Sequence, residues 1–391
     1  MTEKIDILVV GGGGREHAII KKLSESPRAG KLYAAPGNAG IAALAECLPI
    51  SATDIDGVVA AAKRLHVGLV FVAPDDPLTL GMVDRLEAEG IRTFGPRKNA
   101  ARLEGSKVFS KNLMKKYHIP TAAYEIFDDP HAALAYIEQQ NTYPTVIKAE
   151  GLALGKGAII AANHEEAAAA LTEIMEDRKF GDAGNRVVVE EFMTGTEVTV
   201  LAFVDSKTVR PMVSSQDHKR VFDHDRGPNT GGMGAFSPSK VYTPALQELC
   251  MKTIFLPTME ALNAEGSPFQ GVIYYQLMLT EQGPKVVEYN ARFGDPETQA
   301  VLPRLKTDFL DIIDAVIDET LADLPIEWDD GAACCVVLAS GGYPVSYQKG
   351  YPISGLDAFD GDPNITVYHA GTAFNEKHEI VTSGGRVLGV T

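Results

Sequence analysis

The first hundred residues alternate between short apolar runs and amphipathic helical stretches. Strands separated by helices fold as βαβ units around a parallel sheet, because a crossover helix carries the chain back to the same edge. Ligands of such sheets bind beyond the carboxyl ends of the strands, where Gly11–Gly14 and Pro74–Pro77 fall. The predicted strands are 5–10, 31–35 and 69–73, and the predicted helices are 15–26, 55–65 and 78–89.

After residue 105 the pattern changes to a compact α+β module with a long Ala-rich helix over 165–177. Two antiparallel hairpins follow, with turns at 205–207 and 281–283. Residues 216–234 have neither helical nor strand periodicity, which predicts a long and therefore functional loop. The last sixty or so residues, from 331 on, carry several short strands and predict a small separate β-rich domain.

Charge and cysteine content exclude several classes of protein. The chain has 36 Lys+Arg against 52 Asp+Glu, a net charge of −16, which excludes a protein that grips nucleic acid through a basic surface. The four cysteines form no CxxC motif, so we expect neither a disulfide framework nor a zinc site. The sequence has no signal-peptide core and no run of 18 apolar residues, so a cytoplasmic protein without membrane contacts is expected.

The glycines at 11–14 follow a strand and open a helix, a position where backbone N–H groups can receive an anion. A dinucleotide fingerprint would need a third glycine at position 16, where Glu16 stands and would repel a pyrophosphate. NAD or FAD binding is therefore disfavoured. A structural tight turn remains one interpretation, and a site for a different small polar ligand is the favoured one.

The segment 151–157 resembles a P-loop, but it is one residue short and has Gly157 in place of the Ser/Thr that would hold magnesium. Its lysine, Lys156, follows Lys148, which lies in an apolar strand and is costly to bury without an anionic partner. Two lysines around a glycine loop favour a phosphate cradle. The alternative is that Lys148 snorkels from the end of the strand.

Two strand ends carry further polar groups. The apolar strand that ends at Glu190 and Glu191 offers backbone groups for an adenine ring, and Glu197 is close enough to reach a ribose. In the segment 286–297, the two-residue period of a strand places Glu288, Asn290 and Arg292 on one face. A carboxylate, an amide oxygen and a guanidinium on one face predict a magnesium site beside a phosphate clamp.

A zinc site built on His218 and His224 with Asp217 and Asp223 is disfavoured, since neither the spacing nor a cysteine supports it. The sequence also lacks the GxSxG and HExxH signatures and a Cys/His nucleophile pattern, so a hydrolase is not expected.

Ten segments resemble the ATP-grasp superfamily and, within it, the phosphoribosylamine–glycine ligase family. The QDHKR, NTGGMG and NARFGDPE motifs are specific to the ligase, whereas the lysines and the metal pair are shared across the superfamily. The segments spread over essentially the whole chain: GGGGREHA (11–18), PGNAG (36–40), LEGSK (103–107), IKAEGLALGKG (147–157), EEF (190–192), QDHKR (216–220), GPNTGGMGAF (227–236), EYNARFGDPETQ (288–299), HAGT (369–372) and TSGGRV (382–387).

The resemblance implies a mixed α/β and α+β protein of three domains. These are a parallel α/β domain over 1–104, an ATP-grasp domain over 105–328 with a lid at about 123–193, and a small β-rich domain over 329–391. Family members normally continue with a helix after this last strand, which implies an incomplete carboxyl-terminal domain. The family commonly has Glu where Asp75 stands, and small residues where Tyr275 and Gln276 would alter the floor of the nucleotide site.

The resemblance also implies roles for individual residues. Arg292, Lys148 and Lys156 are expected to act in catalysis, and Glu288 and Asn290 to bind Mg²⁺ or Mn²⁺. The expected ATP-binding residues are Lys107, Lys148, Gly151, Gly155, Lys156, Gly157, Glu190, Glu191, Phe192, Met193 and Glu197. The expected substrate-binding residues are Gly13, Glu16, Asp75, Asp217, Lys219, Arg220, Asn229, Thr230, Gly231, Gly232 and Asp295.

The implied activity is the ATP-dependent ligation of glycine to 5-phosphoribosylamine in purine biosynthesis. ATP is a co-substrate that phosphorylates glycine, and a lid should exclude water because acyl phosphates hydrolyse. A monomer or weak homodimer is expected. Two other functions stay open: an ATP-grasp ligase or carboxylase with a different acceptor, and a module that senses ATP without turnover.

Overall fold

The computed structural model describes residues 4–152, 157–224 and 226–391. Its amino-terminal domain is a five-stranded parallel sheet in the order β3-β2-β1-β4-β5. The strands are β1 (Ile5–Gly11), β2 (Ala29–Pro36), β3 (Glu46–Cys47), β4 (Leu69–Val72) and β5 (Thr93–Phe94). The helices are α1 (Gly14–Ser24), α2 (Ile55–Arg64), α3 (Asp75–Leu80), α4 (Met82–Ala88) and α5 (Lys98–Gly105).

Both faces of this sheet are covered, as the continuous apolar runs of the sequence predict. Ile7 and Val9 point into one hydrophobic cluster, whereas Leu8 and Val10 point into another, and all four are fully buried. The predicted helix over 78–89 is wrong in one respect: it is two short helices separated at Gly81, whose φ of +94° breaks the helical path.

The segment predicted to be a lid, called the lid below, is a four-stranded antiparallel sheet in the order β6-β9-β7-β8, preceded by helix α6 (Lys107–Lys116). The predicted helix over 165–177 is α-helical only to Leu171 and continues as a π-helical turn through Glu176. The lid elements are β6 (Tyr124–Phe127), α7 (Pro130–Gln140), β7 (Thr145–Ala149), β8 (Ala158–Ala161), α8 (His164–Leu171) and β9 (Val187–Glu191).

The centre of the protein is an antiparallel sheet in the order β11-β10-β16-β17, and both predicted hairpins are confirmed in it. Its strands are β10 (Thr196–Asp205), β11 (Val209–Pro211), β16 (Gln270–Thr280) and β17 (Gly283–Asn290). Helices α9 (Pro244–Cys250), α10 (Leu256–Ala264), α11 (Glu297–Val301) and α12 (Phe309–Ile317) belong to the same region, with a π-helical turn, Met251–Phe255, between α9 and α10.

The segment 216–234 is not the irregular loop that its lack of periodicity predicts. It contains β12 (Gln216–Asp217), β13 (Arg220–Phe222) and β14 (Arg226–Asn229), and β15 (Gly234–Ser237) follows. These strands have only two to four residues each, so they are too short to produce a period-two signal. Gly and Pro within β14 and Gly in the turn after it weaken the signal further.

The carboxyl-terminal β-rich region is likewise not separate. Its strand β18 (Ala333–Ala339) pairs with β15, so one sheet runs across both regions in the order β12-β15-β18-β22-β19. The other strands are β19 (Val367–His369), β20 (Thr372–Phe374), β21 (Ile380–Thr382) and β22 (Arg386–Val390). Short 3₁₀ helices lie at Ile41–Ala43, Gly181–Gly184, Leu302–Arg304, Leu321–Asp323 and Leu356–Phe359.

An aromatic cluster joins the amino-terminal domain to the central sheet. The ring of Phe71 on β4 lies 6.3 Å from that of Phe293 and 6.1 Å from that of Phe309. Because Phe293 lies three residues after the end of β17, this packing holds the end of β17 near the end of β4. None of the helices in the described part of the chain combines the length and hydropathy needed to span a bilayer.

Candidate active site

A cleft of about 1360 Å³ lies where the four regions meet. The lid forms one wall, the outward face of β16 and β17 forms the floor, and residues from the amino-terminal domain close one end. The carboxyl-terminal region also reaches the cleft through Tyr343 and Arg386. The cleft therefore draws its lining from every part of the chain.

Two of the predicted lysines, Lys107 and Lys148, line the cleft. Lys107 begins α6, which Ser106 caps, and its Nζ donates to the carbonyl oxygen of Gly151 at 3.0 Å. Lys148 on β7 is buried, and its Nζ lies 3.1 Å from Glu190 Oε2. It is therefore paired in the interior and does not snorkel. Gly155 and Lys156, also predicted to bind ATP, lie outside the described residues.

A third lysine, Lys111, was not predicted from the sequence. Its Nζ lies 3.0 Å from the same Glu190 oxygen that Lys148 contacts, so two buried ammonium groups share one carboxylate oxygen. The other oxygen, Glu190 Oε1, is buried with no hydrogen-bond partner among the described residues. Burial lowers the pKa of Lys111 to about 8, against the attraction of Glu190.

Glu288 and Asn290 share one face of β17, opposite Gln276 and Tyr274, and both line the cleft. Arg292 lies two residues after the end of β17 and lines the cleft as well. A register shift between β16 and β17 leaves Val287 as an extra residue just before Glu288. Burial alone would raise the pKa of Glu288, but the positive charges of Lys219, Lys148, Lys107 and Arg292 hold that pKa below its usual value. An ionised carboxylate surrounded by four cations is thus built into the floor.

Glu104 holds Asn290 and Arg292 in place. Apart from its position in the LEGSK motif, no sequence feature singled out this residue. Its Oε1 accepts from Asn290 Nδ2 at 3.0 Å and lies 2.8 Å from Arg292 Nη2, while its Oε2 accepts from the Ala291 amide at 2.8 Å. Arg292 Nη2 and the Ala291 amide already donate to the two Glu104 oxygens, so the Asn290 amide faces Glu104 with its NH₂ group, although burial raises the pKa of Glu104 to about 7. The carbonyl oxygen Oδ1 of Asn290 is then the atom left for a ligand.

These oxygens fit a hard divalent cation. Within the described residues, no group donates a hydrogen bond to the Glu288 carboxylate or to Asn290 Oδ1, and both residues line the cleft. Mg²⁺ and Mn²⁺ prefer such oxygen ligands and are typically held by one or two protein groups together with a nucleotide's phosphates. No cluster of three or more His, Cys, Asp or Glu residues suited to a metal occurs in the described part of the chain.

The far end of the cleft is lined by Asp75 and Asp295 together with Arg15 and Arg292. Burial would raise the pKa of Asp75, but the charges of Arg292 and Arg15 lower it overall. Asp295 is likewise held below its usual pKa, against burial, by Arg386 and Arg15. Two ionised carboxylates with flanking guanidinium groups suit a substrate that carries hydroxyl, amine and phosphate groups together.

Two predicted substrate residues, Gly13 and Glu16, do not line the cleft. The Glu16 carboxylate is buried and accepts from the Gly13 amide at 2.6 Å, a bond that caps the start of α1. It also pairs with Arg15 Nε at 2.6 Å. A side chain at Gly12 would lie 2.4 Å from the carbonyl oxygen of Gly37. These contacts give the glycine run a structural role, in line with the interpretation of the segment as a tight turn.

The remaining predicted substrate residues lie around the strands β12–β14. Asp217, Lys219, Arg220, Asn229, Thr230 and Gly231 line the cleft, whereas Gly232 does not. Arg386 Nη1 donates to the carbonyl oxygen of Gly231 at 2.7 Å and to that of Asp295 at 2.8 Å, and the Tyr343 hydroxyl accepts from the Gly231 amide at 3.1 Å. The carboxyl-terminal region thus fixes this loop, a role that the sequence did not predict.

Among the residues predicted to bind ATP, Glu190–Met193, Gly157 and Glu197 line the cleft. Gly151 is not among the lining residues, but its carbonyl oxygen accepts from Lys107, which is. Gln276 also lines the cleft, and its Nε2 donates to Glu197 Oε2 at 2.8 Å. Tyr275 does not contribute to the floor as expected. Its side chain points into the core, where its ring lies 4.5 Å from that of Phe255.

Glu297 provides a test of the cleft's electrostatics. Its carboxylate is buried and accepts from the Tyr274 hydroxyl at 2.9 Å. Burial, reinforced by Asp217 and opposed by Lys219, raises its pKa to about 7. Because the folded protein holds this proton more tightly than the unfolded chain, Glu297 contributes stability below about pH 4.5 that is lost as the pH rises through 7.

We therefore expect Glu297→Gln, which keeps the bond to Tyr274 but cannot ionise, to flatten the fall in thermal unfolding midpoint between pH 5 and 8. The measurement is a set of thermal melts of the protein without substrates across that range. Glu260→Gln, an exposed change of the same kind on α10, is the control. Parallel pH curves for the wild type and Glu297→Gln would contradict the prediction.

Models of one family match three consecutive parts of the chain. The N domain of phosphoribosylglycinamide synthetase matches residues 5–104, its ATP-grasp (A) domain matches 105–298, and its C domain matches 333–391. The chain belongs to the phosphoribosylglycinamide synthetase family. This agrees with a cleft that all three regions line together.

Known relatives resemble the chain over nearly its whole length. A phosphoribosylamine–glycine ligase of Halalkalibacterium halodurans is 50% identical over 384 residues, which are 98% of this chain and 88% of the relative. The crystal structure of the Thermotoga maritima phosphoribosylamine–glycine ligase matches with a TM-score of 0.83 at 31% identity and covers 98% of this chain and 91% of that one. These matches confirm the predicted family, fold class and activity: an ATP-grasp ligase of purine biosynthesis.

A more distant structure shares the fold alone. It is the biotin carboxylase domain of the Hydrogenobacter thermophilus 2-oxoglutarate carboxylase, solved with MgADP, ADP and bicarbonate. It matches with a TM-score of 0.72 at 15% identity and covers 100% of this chain and 86% of that one.

Proposed function

We propose that the cleft joins glycine to 5-phosphoribosylamine through a glycyl phosphate, with the chemistry centred on Glu288, Asn290 and Arg292. The observation that carries this proposal is that Lys107, Lys148, Lys219 and Arg292 line the same cleft as Glu288, whose pKa their charges lower. Four cationic side chains gathered in one cleft suit a polyphosphate. Electrostatic stabilisation and positioning are the main means by which proteins catalyse phosphoryl transfer.

The first step activates the glycine carboxylate. A carboxylate oxygen attacks the γ-phosphorus of ATP, the bond to the ADP oxygen breaks, and ADP leaves. Arg292 is suited to this step because its Nε is buried without a hydrogen-bond partner among the described residues. Glu104 holds the guanidinium through Nη2, so Nε is available to a phosphoryl oxygen.

In the second step the amine of phosphoribosylamine attacks the acyl carbon of glycyl phosphate. An amide forms, inorganic phosphate leaves, and the amine loses a proton. The adjacent end of the cleft, with Asp75, Asp295 and Arg15, is where we place phosphoribosylamine. The loop around Asn229–Gly231, fixed by Arg386 and Tyr343, would then lie beside the glycine and its phosphate.

Glu288 and Asn290 would hold the divalent cation, Mg²⁺ or Mn²⁺, as their free oxygens allow. When bound, such a cation neutralises charge on the nucleotide's phosphates. The same fold in the distant biotin carboxylase domain binds MgADP, which supports a metal–nucleotide complex in this cleft. The strand end at Glu190–Met193 and Glu197 would take the adenosine part, with Lys107 and Lys148 on the phosphates.

The test is to measure ADP formation by the full chain with ATP and Mg²⁺ while glycine and phosphoribosylamine are omitted in turn. We expect ADP formation to require both substrates, with glycinamide ribonucleotide formed in equal amount. ADP formation that is indifferent to either one would remove this function and favour a ligase with another acceptor. ATP binding without turnover under all conditions would favour the sensing module.

A further inference from the structure

Gln276 carries an amide oxygen that the proposed roles leave unexplained. Its side chain is only 2% exposed, yet Oε1 has no hydrogen-bond partner among the described residues. A buried amide oxygen without a partner is costly, so it calls for a ligand. Gln276 also lines the cleft, which gives a ligand access to it.

The direction of this amide is fixed by its neighbour. Nε2 donates to Glu197 Oε2 at 2.8 Å, and an ionised carboxylate can only accept. The amide cannot turn over without placing two oxygens against each other. Oε1 must therefore point away from Glu197, a constraint that does not depend on how the two atoms of the amide were assigned.

Strand register places Gln276 beside the candidate metal ligands. In the pairing of β16 with β17, Gln276 lies directly opposite Glu288, and Tyr274 lies opposite Asn290. Side chains of directly opposed residues share one face of a sheet, with their Cβ atoms about 4.5–5.5 Å apart. The two side chains can thus reach one cation from adjacent strands.

We propose that Gln276 Oε1 is a third protein ligand of the divalent cation, beside Glu288 and Asn290. The inference rests on the proposed function, since it takes the cation to lie at those two residues. A neutral amide oxygen adds a hard ligand without adding charge, so the acidic part of the site stays at one carboxylate. Through Nε2 the same side chain ties the cation to Glu197 and hence to the nucleotide end of the cleft.

Crystals of the full chain soaked with Mn²⁺ and ADP test the geometry directly. We expect one anomalous peak whose Mn²⁺ lies about 2.1 Å from oxygens of Glu288, Asn290 and Gln276. A cation on Glu288 and Asn290 with Gln276 Oε1 beyond 3 Å would overturn the inference and leave the proposed function standing. A cation away from Glu288 would overturn both.

Mn²⁺ affinity gives a second readout that does not depend on turnover. In the presence of saturating ADP, electron paramagnetic resonance of free Mn²⁺ should show Kd raised about tenfold in Gln276→Met, which matches the shape without the oxygen. Gln276→Glu, which keeps an oxygen, should retain binding. Gln270→Met, the same change earlier on β16, should match the wild type because Gln270 Nε2 donates to carbonyls of α12.

An unchanged Kd in Gln276→Met would overturn the inference. Glu288→Gln distinguishes this failure from that of the proposed function. If Glu288→Gln weakens Mn²⁺ binding while Gln276→Met does not, only the third ligand is wrong. If neither variant changes the Kd, the cation does not bind at this edge and both proposals fail.

Discussion

Glu288→Gln should lower kcat by about 10³-fold or more while the chain stays folded. The substitution keeps the shape of the side chain but removes the charge that Lys219, Lys148, Lys107 and Arg292 stabilise, and with it the proposed anionic ligand of the metal. Loss of a single stabilising contact in a preorganised site costs about 10²–10³ in kcat, and loss of the cation's anchor should exceed this. The measurement is steady-state ADP formation at saturating substrates, with circular dichroism to verify folding.

Glu281→Gln is the matched control, because Glu281 is exposed at the turn of the same hairpin. Its kcat should equal that of the wild type. Turnover in Glu288→Gln within tenfold of the wild type would contradict the placement of the metal–nucleotide complex on this edge. It would also favour a role for the cleft that does not depend on phosphoryl transfer.

Arg292→Met should lower kcat by about 10²–10³-fold with a smaller change in the KM for ATP. The guanidinium is held by Glu104 and by the carbonyl oxygen of Phe293, which leaves Nε to interact with the phosphoryl group during its transfer. A contact made chiefly in the transition state lowers kcat and kcat/KM together. Single-turnover measurements of ADP formation would show that the chemical step is the one affected.

Arg292→Lys should not restore the rate, since an ammonium group cannot replace a planar guanidinium that bonds to Glu104 and to a phosphoryl oxygen at once. Arg64→Met, an exposed change at the end of α2, is the control for loss of an arginine. A rise in KM with kcat unchanged in Arg292→Met would contradict the role given to Arg292, because it would mark uniform binding of substrate.

The sequence predicted the architecture well wherever the signal was local. The strand β1, the hairpin turns at 205–207 and 281–283 and the face shared by Glu288 and Asn290 all follow from periodicity within a few residues. The helix that breaks at Gly81 and the short strands between 216 and 234 were wrong or missed. A left-handed glycine and strands of two to four residues fall below the resolution of a periodic pattern.

The site residues that the sequence missed depend on contacts between distant parts of the chain. Glu104 acts on Asn290 and Arg292 from nearly two hundred residues away, and Arg386 reaches Gly231 from another domain. Lys111 lies mid-helix beside a carboxylate that only the fold brings to it. Glu16, in contrast, accepts from the Gly13 amide only three residues away, a local contact that the sequence analysis did not predict and that accounts for its burial.

The fate of the glycine carboxylate oxygens tests the central claim most directly. With glycine labelled by ¹⁸O in both carboxylate oxygens, reaction through glycyl phosphate must transfer one label to inorganic phosphate and keep the other in the amide. Mass spectrometry of the phosphate released in a full reaction should therefore find one ¹⁸O per phosphate. Phosphate without label would contradict an acyl phosphate and, with it, the chemistry assigned to this cleft.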